Sequence, residues 1–74
     1  MAGNVTYPIL KGALRKLNSV SSGRFHLRYL RKGRRRIYRL DYEINGLVKF
    51  VVSGHSRFVM ETMENILKEK AAEL

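Results

Sequence analysis

The chain has 74 residues, with fifteen Lys plus Arg against six Asp plus Glu and a formal charge of +9. That length holds one domain, residues 1–74, and excludes a two-lobed enzyme that closes on its substrate. It has no Cys, which excludes disulfides and Cys-based zinc sites, and no stretch is long and apolar enough to span a membrane.

Thr6-Tyr7-Pro8 suits the opening of a helix, because Pro fits the first turn and Thr can cap it. Leu10, Ala13, Leu14 and Leu17 then fall on one helical face, with Lys11, Arg15 and Lys16 off it. Gly12 weakens this helix by up to about 1 kcal/mol. Asn18 to Gly23 is rich in turn formers, so a first helix is expected from Pro8 to Asn18.

Arg24 to Ser53 is rich in Tyr, Phe, Val and Ile, and it contains two hairpin signals, Lys32-Gly33 and Asn45-Gly46. With these as two-residue turns, Leu27 faces Tyr38, Phe25 faces Leu40, Leu40 faces Val51 and Ile44 faces Leu47. Both turns then give the same core face: Phe25, Leu27, Tyr38, Leu40, Ile44, Leu47 and Val51. The other face collects Arg24, His26, Arg28, Arg35, Ile37, Arg39, Asp41, Glu43, Val48, Phe50 and Val52, with Asp41 opposite Arg24.

From Ser56, expected to cap a second helix, Val59, Met60, Met63, Ile66, Leu67, Ala71 and Leu74 form an apolar stripe at helical spacing. Glu61, Glu64, Lys68, Glu69 and Glu73 lie mostly off it. The expected class is α+β: helix, three-stranded antiparallel sheet, helix (αβββα), with both helices on one face of the sheet.

The charge is one-sided along the chain. Residues 1–40 contain eleven Lys or Arg and no acid, whereas residues 41–74 contain all six acids and four bases. Such a block repels itself unless a polyanion is near; nucleic acid is the first candidate and an anionic membrane surface the second. The sharpest feature is Arg31-Lys32-Gly33-Arg34-Arg35-Arg36, with five cations in six residues at a hairpin tip. Arg forks match phosphate oxygens and the guanine edge, and a two-stranded ribbon fits a major groove. Strand alternation would point Arg34 and Arg36 one way and Arg35 the other. Lys11, Arg15 and Lys16 on the first helix, Arg24, Arg28 and Arg39 on the strands, and Arg57 on the last helix complete the expected footprint.

Most of the interleaved aromatics (Phe25, Tyr29, Tyr38, Tyr42) fall on the expected core face, which leaves Phe50 as the candidate to stack on bases. His26 and His55 are the only histidines and make no metal-binding pattern; Gly54-His55-Ser56 reads as a helix start. Asp41 and Glu43 read as partners of Arg24 and its neighbours. No catalytic residue, cofactor or metal is expected.

The element order resembles the double-stranded-RNA-binding domain. That family uses its first helix, a strand–strand loop and basic residues at the start of its last helix to bind RNA. Lys11, Arg15 and Lys16, then Lys32 with Arg34–Arg36, occupy the first two places here, and Arg57 alone stands for the third. Val51-Val52-Ser53-Gly54-His55-Ser56, Thr62-Met63-Glu64-Asn65-Ile66-Leu67-Lys68 and Lys32-Gly33-Arg34-Arg35-Arg36-Ile37-Tyr38 are similar to segments of HicA-type mRNA interferases. The family's catalytic His just after Gly is replaced by Arg34 and Arg35, which implies a binding surface without the nuclease centre. The arm-binding domain of some tyrosine recombinases, which lays a three-stranded sheet on DNA, is a third analogue.

The expectation is a small, soluble, non-enzymatic protein that binds DNA or RNA and is cytoplasmic or nucleoid-associated. One alternative is an RNA-cleaving toxin using His55 or His26 as acid or base. Another is a homodimer or protein-interaction module formed through Val48, Phe50 and Val52 and the stripe on the last helix.

Overall fold

The computed structural model describes residues 5–72. Along them run α1 (Tyr7–Ser19), β1 (Arg24–Lys32), β2 (Arg35–Ile44), β3 (Leu47–Gly54) and α2 (Ser56–Ala72). The strands form one antiparallel sheet in the order β1-β2-β3, so the αβββα architecture is the expected one. Glu73, and Leu74 of the apolar stripe, lie outside the described residues. No described helix is long and apolar enough to cross a membrane.

Pro8 lies in the first turn of α1, where its fixed φ favours the helix and its missing N–H leaves no bond unmade. Thr6 holds the N-cap position, and its carbonyl accepts from the Leu10 N–H at 3.1 Å, but its side chain makes no cap bond. At the other end the Ser19 and Ser21 hydroxyls donate to the Lys16 and Leu17 carbonyls at 2.7 and 2.6 Å. Both carbonyls lie in the last turn, where the i+4 helical bonds run out, and the Leu17 carbonyl also accepts from the Val20 N–H at 3.3 Å.

Asn18 joins α1 to the sheet. Its amide Nδ2 donates to the Phe25 carbonyl at 3.2 Å and its Oδ1 accepts from the Phe25 N–H at 2.6 Å. One side chain thus satisfies both backbone groups at the start of β1. Asn18→Ala leaves both without that partner and should cost about 1–3 kcal/mol in urea denaturation; a loss under about 0.5 kcal/mol would contradict the clamp.

The core unites Leu10, Ala13 and Leu17 of α1, Phe25, Tyr38, Leu40 and Val52 of the sheet, and Val59 and Met63 of α2. The sheet residues share one face, which both helices cover. Leu14, Leu27, Val51, Met60, Ile66 and Leu67 pack partly buried around this cluster, whereas Ala71 is exposed.

The register differs from expectation in two places. The first turn is Gly33-Arg34, one residue later than Lys32-Gly33, so Leu27 faces Leu40, Phe25 faces Tyr42 and Tyr29 faces Tyr38. Gly33 has φ +61° and Arg34 is not among the positive-φ residues. A II′ turn has this pattern, since its first central position needs Gly. A Lys32-Gly33 turn of the I′ kind would force positive φ on Lys32. Because the pairing moves by two residues, the expected faces survive while the partners change: Asp41 lies opposite His26, and Arg24 opposite Glu43.

The second turn is Asn45-Gly46 as expected, with φ of +53° and +78°, and Ile44 faces Leu47. A β-bulge between Leu40 and Asp41 then inserts Val51 as an extra residue, so Leu40 faces Val52. The alternation of β3 inverts there. Val52, expected on the outer face, is buried; Val51 is only half-buried; and Leu47, expected in the core, is 65% exposed.

His55 caps α2 in place of Ser56. Its carbonyl accepts from the Val59 N–H at 3.1 Å, and its ring Nδ1 accepts from the Phe58 N–H at 3.3 Å. The second bond is the role usually filled by a Ser or Asp side chain. Ser56 is the first helical residue.

Candidate functional site

The pairing of β3 ends at Gly54, opposite Tyr38. β1 and β2 continue past it through the pairs Leu30–Ile37, Arg31–Arg36 and Lys32–Arg35 before closing at Gly33-Arg34. At roughly 3.3 Å per residue, a two-stranded ribbon projects about 10 Å beyond the sheet. Both charged pairs on it are like-charged, an arrangement that is unfavourable without an anion. Among the described residues, no carboxylate forms an ion pair with Arg31, Lys32, Arg34, Arg35 or Arg36, and all five are exposed. Arg31 is braced by its own turn, its Nε donating to the Gly33 carbonyl at 3.2 Å.

The expected alternation along this segment is modified by the turn. Arg34 sits at the apex rather than in a strand. Arg31 and Arg36 share the helix side of the ribbon, and Lys32 and Arg35 the open side.

Both helices begin at the root of the ribbon. Tyr7, the first residue of α1, stacks on Tyr38 with centroids 6.0 Å apart and an 18° interplanar angle. α2 starts two residues after Gly54, the partner of Tyr38. Neither helix has an acid in its first turn, so the positive ends of both dipoles add to the ribbon's charge. Arg57 lies in the first turn of α2, and Lys11, one turn into α1, holds its Nζ 5.5 Å from the Tyr7 ring centroid.

Seven of the twelve expected cations therefore gather at one end: Lys11, Arg31, Lys32, Arg34, Arg35, Arg36 and Arg57. The other five do not. Arg15 and Lys16 lie on later turns of α1, and Arg24 starts β1 at the opposite end of the sheet. Arg28 and Arg39 face each other across β1 and β2 on the open face.

The acids of the open face are engaged locally. His26 Nε2 and Glu43 Oε1 lie 2.8 Å apart, and Arg39 Nε donates to Oδ1 of the buried Asp41 at 3.0 Å. The expected pairing of Asp41 with Arg24 is thus replaced by one within β2. The Arg39 guanidinium also covers the Phe50 ring at 5.1 Å, so Phe50, although 58% exposed, already has a cation on one ring face. His26 lies on the open face and His55 at the start of α2, so the two do not converge. Among the described residues, no group of three His, Asp or Glu lies close enough to hold a metal ion.

An aromatic cluster that composition did not reveal lies at the ribbon's root. Tyr38 is buried; Tyr29 packs against it at 5.3 Å with a 45° tilt, while remaining 47% exposed. Tyr29 has the core-face parity expected of it, but the helices do not extend over it. Its signal in the sequence is the length of the first hairpin, which outruns the third strand.

Comparison with family models, curated proteins and solved structures returns no match.

Proposed function

We propose that this chain is a nucleic-acid-binding module that grips the phosphate backbone with its β1–β2 ribbon and the helix starts at the ribbon's root, and that it carries no catalytic centre. The observation behind the reading is a projecting ribbon with five exposed cations and no carboxylate partner among the described residues. Repulsion within the Arg31–Arg36 and Lys32–Arg35 pairs is relieved when phosphates lie between and around them. A two-stranded ribbon fits the major groove of B-DNA, and its tip can lie in the wide, shallow minor groove of RNA. The seven cations gathered at this end are enough for about six phosphate contacts.

The non-enzymatic part rests on the ribbon's chemistry and on the histidines. Arg34 and Arg35 follow Gly33, and always-charged Arg supplies no proton acceptor. His55 serves as the cap of α2 through its Nδ1, and His26 pairs with Glu43 on the open face away from the ribbon, so the two do not meet in one site.

A second reading places the nucleic acid on the open face of the sheet, where Arg28, Arg39 and Phe50 sit together. A titration of the purified chain against single- and double-stranded DNA and RNA at several salt concentrations tests binding itself. With about six phosphates neutralised on B-DNA, log K should fall against log salt with a slope near about −5. Undetectable binding, or affinity indifferent to salt, would overturn the proposal.

A further inference from the structure

Tyr7, Tyr29, Tyr38 and Arg36 line an open cavity of about 370 Å³ on the helix side of the ribbon. It is small for a ligand site, which typically runs about 300–1,000 Å³. A second cavity of about 390 Å³ shares Tyr7, Arg36 and Tyr38 with it and continues to Thr6 and His55. An aromatic compartment and a more polar one thus meet at Arg36.

The three rings are not equivalent. Tyr38 is buried at the centre, and Tyr7 is engaged by Tyr38 and by the Lys11 ammonium. Tyr29 touches Tyr38, is half exposed, and has no cation over it among the described residues. It offers a free π-face beside an Arg that shares its side of the ribbon.

We propose that this cavity takes an unpaired nucleobase, stacked on Tyr29, with the attached phosphate on Arg36. The inference rests on the nucleic-acid reading and specifies its substrate as a strand with at least one unpaired base next to the bound backbone. A purely apolar occupant would leave Arg36 and its cross-strand neighbour Arg31 without an anion. A nucleotide satisfies ring and guanidinium together, because its base has a π-face and its sugar carries a phosphate.

The test compares a blunt duplex with the same duplex bearing a three-nucleotide single-stranded overhang, in DNA and in RNA, by anisotropy of a labelled strand. The overhang should tighten binding about 5- to 100-fold, the range spanned by base–aromatic stacking. Three of the four tyrosines line this cavity and the chain has no Trp, so tyrosine emission should fall more with the overhang than with the blunt duplex. Tyr29→Ala should abolish the preference for the overhang while leaving blunt-duplex affinity unchanged, and Tyr29→Phe, which keeps the ring, should retain it. Equal affinity for both duplexes, or an equal loss on both with Tyr29→Ala, would overturn the pocket while leaving the ribbon reading intact. No binding to any duplex would overturn both.

Discussion

Replacing Arg34, Arg35 and Arg36 together by alanine will weaken duplex binding about 100-fold at about 0.15 M salt and flatten the salt dependence. The size follows from counting charges. Each phosphate neutralised on B-DNA contributes about −0.9 to the slope of log K against log salt, so three lost contacts take a slope near −5 to about −2 or −3. The three residues also occupy distinct places. Arg34 is at the apex, Arg35 is on the open side and Arg36 is on the helix side, so their loss strips every surface of the ribbon's second arm. The fold should survive, because all three are exposed and each removal relieves a like-charged neighbour. Circular dichroism of the variant checks that point. Lys68→Ala, near the far end of α2, serves as the control and should change affinity far less. An unchanged slope in the triple variant would remove the ribbon from the interface.

Leu40→Ala is expected to leave the domain largely unfolded. Leu40 is completely buried in the central strand, flanked by Leu27 and Val52. Truncating a fully buried Leu costs about 2–5 kcal/mol, through lost transfer energy and the cavity left behind. A core of this size rarely supplies more than about 3–5 kcal/mol, and no disulfide or Cys-based zinc site supplements it. Leu47→Ala makes the comparison, because its side chain is 65% exposed and its loss should stay within about 0.5 kcal/mol. Urea denaturation of both variants measures the difference. A cost below about 1 kcal/mol at Leu40 would mean that the core can collapse around the gap.

Element order and sheet faces were legible because they depend on periodicity, and two hairpin signals agreed on one core face. The departures arise where a local choice of backbone outranks pattern. Lys32-Gly33 and Gly33-Arg34 contain the same glycine, and only the sign of φ at each position tells which pair turns. The shift moved every partner across β1 and β2, and it created the like-charged pairs that now define the ribbon. The bulge at Val51 exchanged Val51 and Val52, two identical side chains whose order carries no pattern. The cap passed from Ser56 to His55 because the helix begins one residue earlier than a Ser56 cap requires.

The candidate site was legible as charge but not as shape. The run from Arg31 to Arg36 is visible in any composition count, yet its projection depends on β3 ending opposite Tyr38. The convergence of two helix starts on that spot is a tertiary fact, as is the dispersal of Arg15, Lys16, Arg24, Arg28 and Arg39 away from it. Tyr29 was read as a core ring from its parity, and only the limit of helix cover shows it to be half exposed.

The central claim is that nucleic acid contacts the ribbon end of the molecule. A chain of 74 residues suits amide chemical-shift mapping by NMR, with a short duplex titrated into isotope-labelled protein. The account predicts that the largest changes fall on Arg31–Arg36 and on the first turns of α1 and α2 around Tyr7 and Arg57. The Asn45-Gly46 turn and Arg24, at the opposite end of the sheet, should move little. Largest shifts at Arg28, Arg39 and Phe50, with a silent ribbon, would contradict the account and put the nucleic acid on the open face of the sheet.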